Sequence, residues 1–185
     1  DAYAPTVRSV GARCMIGKGA RLPEVVEAMK KYHGMGKRER LLLQLAAILH
    51  DCGKYINMNQ SAECSYSIIM ATEIIGLSHL EREIVASTVR YNTRPLDPYE
   101  RVADKMDVQS YMTAAKLAAI LRVSNALDRS HKQKFSTIKV VLKNKELLIT
   151  VETKDDIILE KGLLANKSDS FEAIFGIKPV LREKR

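Results

Sequence analysis

Leu41-Leu42-Leu43-Gln44-Leu45-Ala46-Ala47-Ile48-Leu49-His50-Asp51-Cys52-Gly53-Lys54 is the stretch that decides the fold. Residues 41–49 are apolar apart from Gln44, which predicts a helix with a buried face. Gly53 predicts its stop. An imidazole and a carboxylate therefore stand side by side at a helix C-terminus. The partial negative charge of that terminus favours a cation. Neutral imidazole suits transition metals and carboxylate suits harder ones. His50 and Asp51 could then share one divalent cation, of no determined identity, or bridge two. The plainer use of the pair is a helix C-cap in which the histidine compensates the dipole. Lys54 has two matching uses: beside a bound phosphate, or as a surface lysine after the cap.

Working outward, the helical pattern runs from Lys37 to Leu49, after a break at Gly34-Met35-Gly36. Further upstream, Leu22, Val25, Val26 and Met29 fall at helical spacing, with Pro23 tolerated in a first turn. Gly11, Gly17 and Gly19 work against a continuous helix in the first twenty positions. Downstream, Ser61 predicts the cap of a helix carrying Ile68, Ile69 and Ile74, stopped by Gly76. Ser78-His79-Leu80-Glu81 reads as a capping box for a helix to about Tyr91. Asn92 to Pro98 is a loop. A long helix from Met112 to about Leu127 follows, and Asp128 places a second acid at its end.

Near residue 134 the period changes from 3.6 to 2. Ser136 to Lys143 and Glu146 to Glu152 read as a hairpin around Asn144-Lys145. Asp156 to Glu160 is a candidate third strand, Gly162 to Phe175 a short helix, and Ile177 to Leu181 a last strand. Pro179 assigns that strand to an edge. The expected fold is mainly α: a helical domain over 1–133, then a small α/β subdomain over 134–185.

The chain has 185 residues and is 46% hydrophobic, enough for a substantial core; Trp is absent, so aliphatic side chains must fill most of it. The net charge of +8 favours an anionic partner, whether nucleic acid, nucleotide, polyphosphate or an acidic protein surface, and basicity alone chooses none of these. Cys14, Cys52 and Cys64 form no spaced framework, which points to a reducing, cytoplasmic setting. The longest apolar run is too short to span a bilayer. A first residue Asp1 in place of Met is expected of a fragment, a processed product or a trimmed chain. His33, in a Gly-flanked turn, and His79, in a helix first turn where a cation is disfavoured, read as structural.

His50-Asp51 followed by a distant Asp128 is the skeleton of the HD metal-dependent phosphohydrolases, and the chain resembles an HD-type helical domain. A closer resemblance is carried by four stretches. They are residues 33–40 (HGMGKRER), 49–54 (LHDCGK), 75–85 (IGLSHLEREIV) and 125–131 (NALDRSH). The tail at Phe175-Gly176-Ile177-Lys178-Pro179-Val180 also fits. Over about four fifths of its length, the chain is similar to the C-terminal region of the Ppx/GppA phosphatases, bacterial exopolyphosphatases and guanosine pentaphosphate phosphohydrolases. The resemblance implies an HD-like helical domain plus a small α/β part. It also implies that phosphoanhydride hydrolysis belongs to an N-terminal pair of actin-like domains, which this sequence does not contain. The chain is then expected to be the accessory half, inactive by itself, with that N-terminal phosphatase half as partner. A homodimer is left open. Aligned by eye, the further HD ligand positions fall near Cys14 and at Cys64 and Asn92. A thiol and an amide in place of imidazoles weaken and re-tune a site. A two-metal centre is disfavoured; a single-metal site at His50, Asp51 and Asp128, or an empty hydrogen-bonded pair, stays open. The alternative function is an autonomous metal-dependent HD phosphohydrolase acting on a nucleotide or other phosphate ester.

The stretch from Arg129 to Lys145 holds Arg129, Lys132, Lys134, Lys139, Lys143 and Lys145 without an acid. With Lys54, the first five are the candidate anion-binding set, for polyphosphate or guanosine polyphosphate. The plainer reading is a solvated face. No aromatic residues interleave the lysines, so base stacking on single-stranded nucleic acid is disfavoured.

Overall fold

A computed structural model of the chain describes residues 35–129, 132 and 134–184. The expected helix around Leu22 to Met29, Cys14, His33 and His131 lie outside those residues. Helix α1 spans Lys37–Leu49, where the periodicity placed it, and buries Leu42, Leu43, Ala46 and Ala47. That spacing is one helix face. At its start the Glu39 carboxylate accepts from the Gly36 N–H at 2.7 Å. One free donor of the first turn is thereby satisfied.

A 3-10 turn at Cys52–Tyr55 leads to α2, Ser61–Ala71. Two expectations fail here. Gln60 is the N-cap rather than Ser61, and the helix ends at Ala71 rather than near Gly76. Thr72 explains the early stop. Its backbone is extended, its hydroxyl donates to Ile68 O at 2.8 Å, and Arg82 donates to its carbonyl at 3.0 Å. Carbonyls at the helix end thus find partners before the chain reaches Ile74.

Helix α3, His79–Tyr91, starts from the expected capping box: Glu81 N–H donates to Ser78 Oγ at 3.2 Å and Ser78 N–H to Glu81 Oε2 at 2.8 Å. Helix α4, Val108–Leu127, begins before the expected Met112. Asp107 caps it, accepting from Ser110 N–H at 2.7 Å, a start signal hidden among polar residues. Ala115, Leu117, Ala119, Ile120, Leu121 and Val123 of α4 are all buried. A helix apolar around its circumference is a central one, and α4 packs against α1, α3 and the last helix. Each fully buried leucine of this kind contributes about 2 kcal/mol.

The tail is a three-stranded sheet of order β1-β2-β3 with one helix. β1 (Thr137–Lys143) and β2 (Glu146–Glu152) form the expected antiparallel hairpin. Asn144 and Lys145 have φ of 50° and 62°, the left-handed pair of a type I′ turn. The candidate strand at Asp156 to Glu160 does not form. Helix α5 occupies Ile158–Phe175 instead. Asp156 Oδ1 accepts from Ile158 N–H at 2.9 Å, and buried Ile157, Glu160 and Leu164 repeat at helical spacing. Gly176, at φ 64°, ends α5 and returns its N–H to Glu172 O at 2.7 Å. β3 (Lys178–Glu183) pairs parallel to β2 at the sheet edge, as Pro179 predicted.

Leu147, Ile149 and Val151 belong to the same buried cluster as Leu164, Phe171 and Phe175 of α5, and α5 packs on α4, so one hydrophobic core runs through both parts. The chain is a mainly helical bundle followed by a small α/β part. Among the described residues, no helix is long and apolar enough to cross a membrane.

Candidate functional site

His50 is the C-cap of α1 and is buried. Its Nδ1 lies 2.9 Å from Ala47 O, a carbonyl of the last turn, so Nδ1 carries the proton. Nε2 is left as the basic nitrogen, 3.4 Å from Asp51 Oδ1. This is the tautomer that a ligating histidine needs. It is also what a C-cap needs, because an end carbonyl gains a donor. Lys54 folds back through the 3-10 turn, and its Nζ stands 2.9 Å from Asp51 Oδ2. Asp51 thus already faces an ammonium group.

The corner is held closed from α2. Gly53 is buried and donates its N–H to Ser65 Oγ at 2.8 Å. A Cβ at Gly53 would overlap the backbone of Ser61 and Ser65, so only glycine admits this close approach. Burial pushes the Cys52 thiol up, away from the thiolate form that binds metal.

Of the other aligned positions, Cys64 is half-buried on α2 and Asn92 sits in a dense polar belt. Glu63 holds Arg90 at 2.8 Å and Arg94 at 3.0 Å. Tyr91 donates to Asp97 Oδ2 at 2.9 Å and Tyr111 to Asp97 O at 2.7 Å. Burial, aided by the Asp97 hydrogen bond, pushes Tyr91 up to about 12. Arg122 reaches Tyr91 O at 2.6 Å and also bonds Arg94 O. Asn92 caps α3 and is buried; its Oδ1 meets no donor among the described residues. Tyr66 donates to buried Glu83 at 2.6 Å. These bonds fix the loop after α3.

Asp128 is the half-buried C-cap of α4. The structure joins His50, Asp51 and Lys54. Among the described residues, no three His, Cys, Asp or Glu side chains gather as a group able to hold a metal. Of the described residues, His50 and Asp51 are the metal-type donors that this corner brings together.

The basic stretch divides. Lys134 turns inward: its Nζ contacts Asp156 O at 2.6 Å and buried Glu160 Oε2 at 3.2 Å. The stretch lacks an acid in sequence, but the tertiary fold supplies one from α5. Arg129 and Lys132 are exposed. Lys139 and Lys143 alternate on the exposed side of β1 and form no ion pair among the described residues. The sequence reading missed Lys178 and Arg182 of β3, which the register brings onto the same side. A signal was present: Lys139-x-Val141-x-Lys143 recurs as Lys178-x-Val180-x-Arg182.

Comparison with known proteins accords with the resemblance. The family described as Ppx/GppA phosphatase, domain III, matches residues 19–169. No match is found among the curated proteins. The family match covers most of the chain, and the chain belongs to the Ppx/GppA phosphatase family.

Proposed function

We propose, for a chain that carries domain III of the Ppx/GppA phosphatase family, an accessory role: it binds polyphosphate, or a guanosine polyphosphate, and positions it for a catalytic half in other domains of the same protein. The observation that carries this reading is the contrast in charge use. In the helical part Lys54 is paired with Asp51, Arg38 with Glu81 and Arg90 with Glu63. Lys139 and Lys143 stay unpaired among the described residues, on a chain of net charge +8. Counterion release would drive binding, so affinity should fall steeply with salt.

Two measurements test it. A phosphate-release assay on polyphosphate and guanosine pentaphosphate, with magnesium, manganese or nickel, should show no turnover by this chain. Robust turnover that vanishes in both His50→Ala and Asp51→Ala would favour an autonomous HD phosphohydrolase. Polyphosphate binding, followed across a salt series, should be weak, salt-sensitive and diminished in Lys132→Glu/Lys139→Glu/Lys143→Glu. Absence of binding at low salt removes the polyanion part of the reading.

A further inference from the structure

Among the described residues, the half-buried side chains of β1 and the buried ones of β2 turn toward the core shared with α5, and the opposite face of the sheet is left uncovered. β1 shows Lys139, Val141 and Lys143 there, β2 shows Thr150, Leu148 and Glu146, and β3 shows Arg182, Val180 and Lys178. The two ladders align these into three cross-strand rows: Lys139–Thr150–Arg182, Val141–Leu148–Val180 and Lys143–Glu146–Lys178. A row of two cations around a hydroxyl and a row of two cations around a carboxylate thus flank an apolar row. A depression on this face is lined by Lys143, Asn144, Glu146, Leu148 and Arg182. The next row outward is self-neutralised, because Lys184 pairs with Glu152 at 2.5 Å.

We infer that this open face is the polyphosphate-binding surface, anchored on the acid-free row Lys139–Thr150–Arg182, with the chain crossing the depression to Lys143. The inference rests on the polyanion reading above and gives it a place. Adjacent strands are about 4.8 Å apart, so Lys139 and Arg182 bracket Thr150 across about 10 Å. Arg supplies a planar fork for phosphate oxygens, Lys a point charge, and Thr a hydroxyl donor. Lys139 and Lys143 lie about 13 Å apart along β1, a span that a chain of phosphates bridges and orthophosphate does not. Glu146, between the two lysines of its row, opposes an anion. Its charge sets an upper limit on affinity that the fold itself does not require. The apolar row contains no aromatic ring, so base stacking gives nucleic acid no added hold.

The test is titration of the full chain with long-chain inorganic polyphosphate at low salt. Lys178→Glu/Arg182→Glu changes two residues outside the basic stretch. Lys37→Glu/Lys154→Glu makes the same charge change elsewhere on the surface. The sheet-face pair should weaken binding tenfold or more, the control pair less than threefold, and Glu146→Gln should tighten binding. Lys139→Ala/Arg182→Ala repeats the test without charge reversal, and thermal melts confirm folding. Equal weakening by the two pairs, or no tightening in Glu146→Gln, overturns the assignment to this face while leaving polyanion binding intact. No binding by the parent overturns both. Orthophosphate competing as well as the chain, or an oligonucleotide of equal charge binding as tightly, overturns the phosphate-chain ligand.

Discussion

The corner after α1 and the open face of the sheet both carry lysine and leave it in opposite states. At the corner, Lys54 closes on Asp51 at 2.9 Å, His50 closes on its own helix, and Gly53 lets α2 press down on the turn. On the sheet, Lys139, Lys143, Lys178 and Arg182 stand in register with no ion pair among the described residues. Charge that the fold uses to satisfy itself is not available to a ligand. A motif with chemical promise can therefore be spent on structure, while an unremarkable alternation of Lys and Val carries the free charge.

The largest effect should come where a charge has been spent most deeply. Lys134 lies in the basic stretch but pairs with Glu160, whose side chain is 1% exposed. Lys134→Met would leave that carboxylate short of its lysine, at a cost of about 3 kcal/mol. A denaturant midpoint should shift accordingly, and adding Glu160→Leu should recover much of the loss. A midpoint unchanged in Lys134→Met would return Lys134 to the solvent-facing class and weaken the contrast.

A smaller effect tests how tightly the corner is closed. Gly53→Ala forces a methyl group against the backbone of α2, at a cost of about 2 kcal/mol. Thermal unfolding reads it. An Ala variant as stable as the parent would mean the turn can open, and the pair His50-Asp51 would regain freedom to bind.

The smallest is a surface pair. Arg38 holds Glu81 through Nε at 2.5 Å and Nη2 at 2.8 Å. The Arg38 guanidinium first, with the Ser78 N–H, lowers Glu81 from 4.5 to about 2. A carboxylate lowered on folding adds stability that is complete above about pH 4.5 and is lost as pH falls toward 2. Arg38 is exposed and the pair is screened by solvent, so Arg38→Ala should lower stability at neutral pH only slightly. The difference between variant and parent should shrink through that acid window. A difference that persists at pH 2 would assign the effect to lost packing instead.

The helices were legible where a local signal was complete. Ser78 and Glu81 form a capping box within four residues, and Asn144-Lys145 turns a hairpin whose strands alternate plainly. Reading failed where a distant partner decided the outcome. Arg82 captures the Thr72 carbonyl and ends α2 early. Lys134 pairs with buried Glu160 in the first turn of α5, where the sequence suggested a strand over 156–160. The candidate site divided in the same way. His50, Asp51 and Lys54 are near in sequence and meet in space. The grouping of Lys139 with Arg182 depends on β3 lying parallel to β2.

The helical bundle and the change of period near residue 134 were written in the chain, because caps, turns and periodicity act over a few residues, and the surplus of positive charge is a matter of composition alone. Only the tertiary structure decided which charges are spent and which stay open. Pairing depends on strand register and helix packing between residues far apart in the chain, and no local pattern encodes which carboxylate will face which lysine.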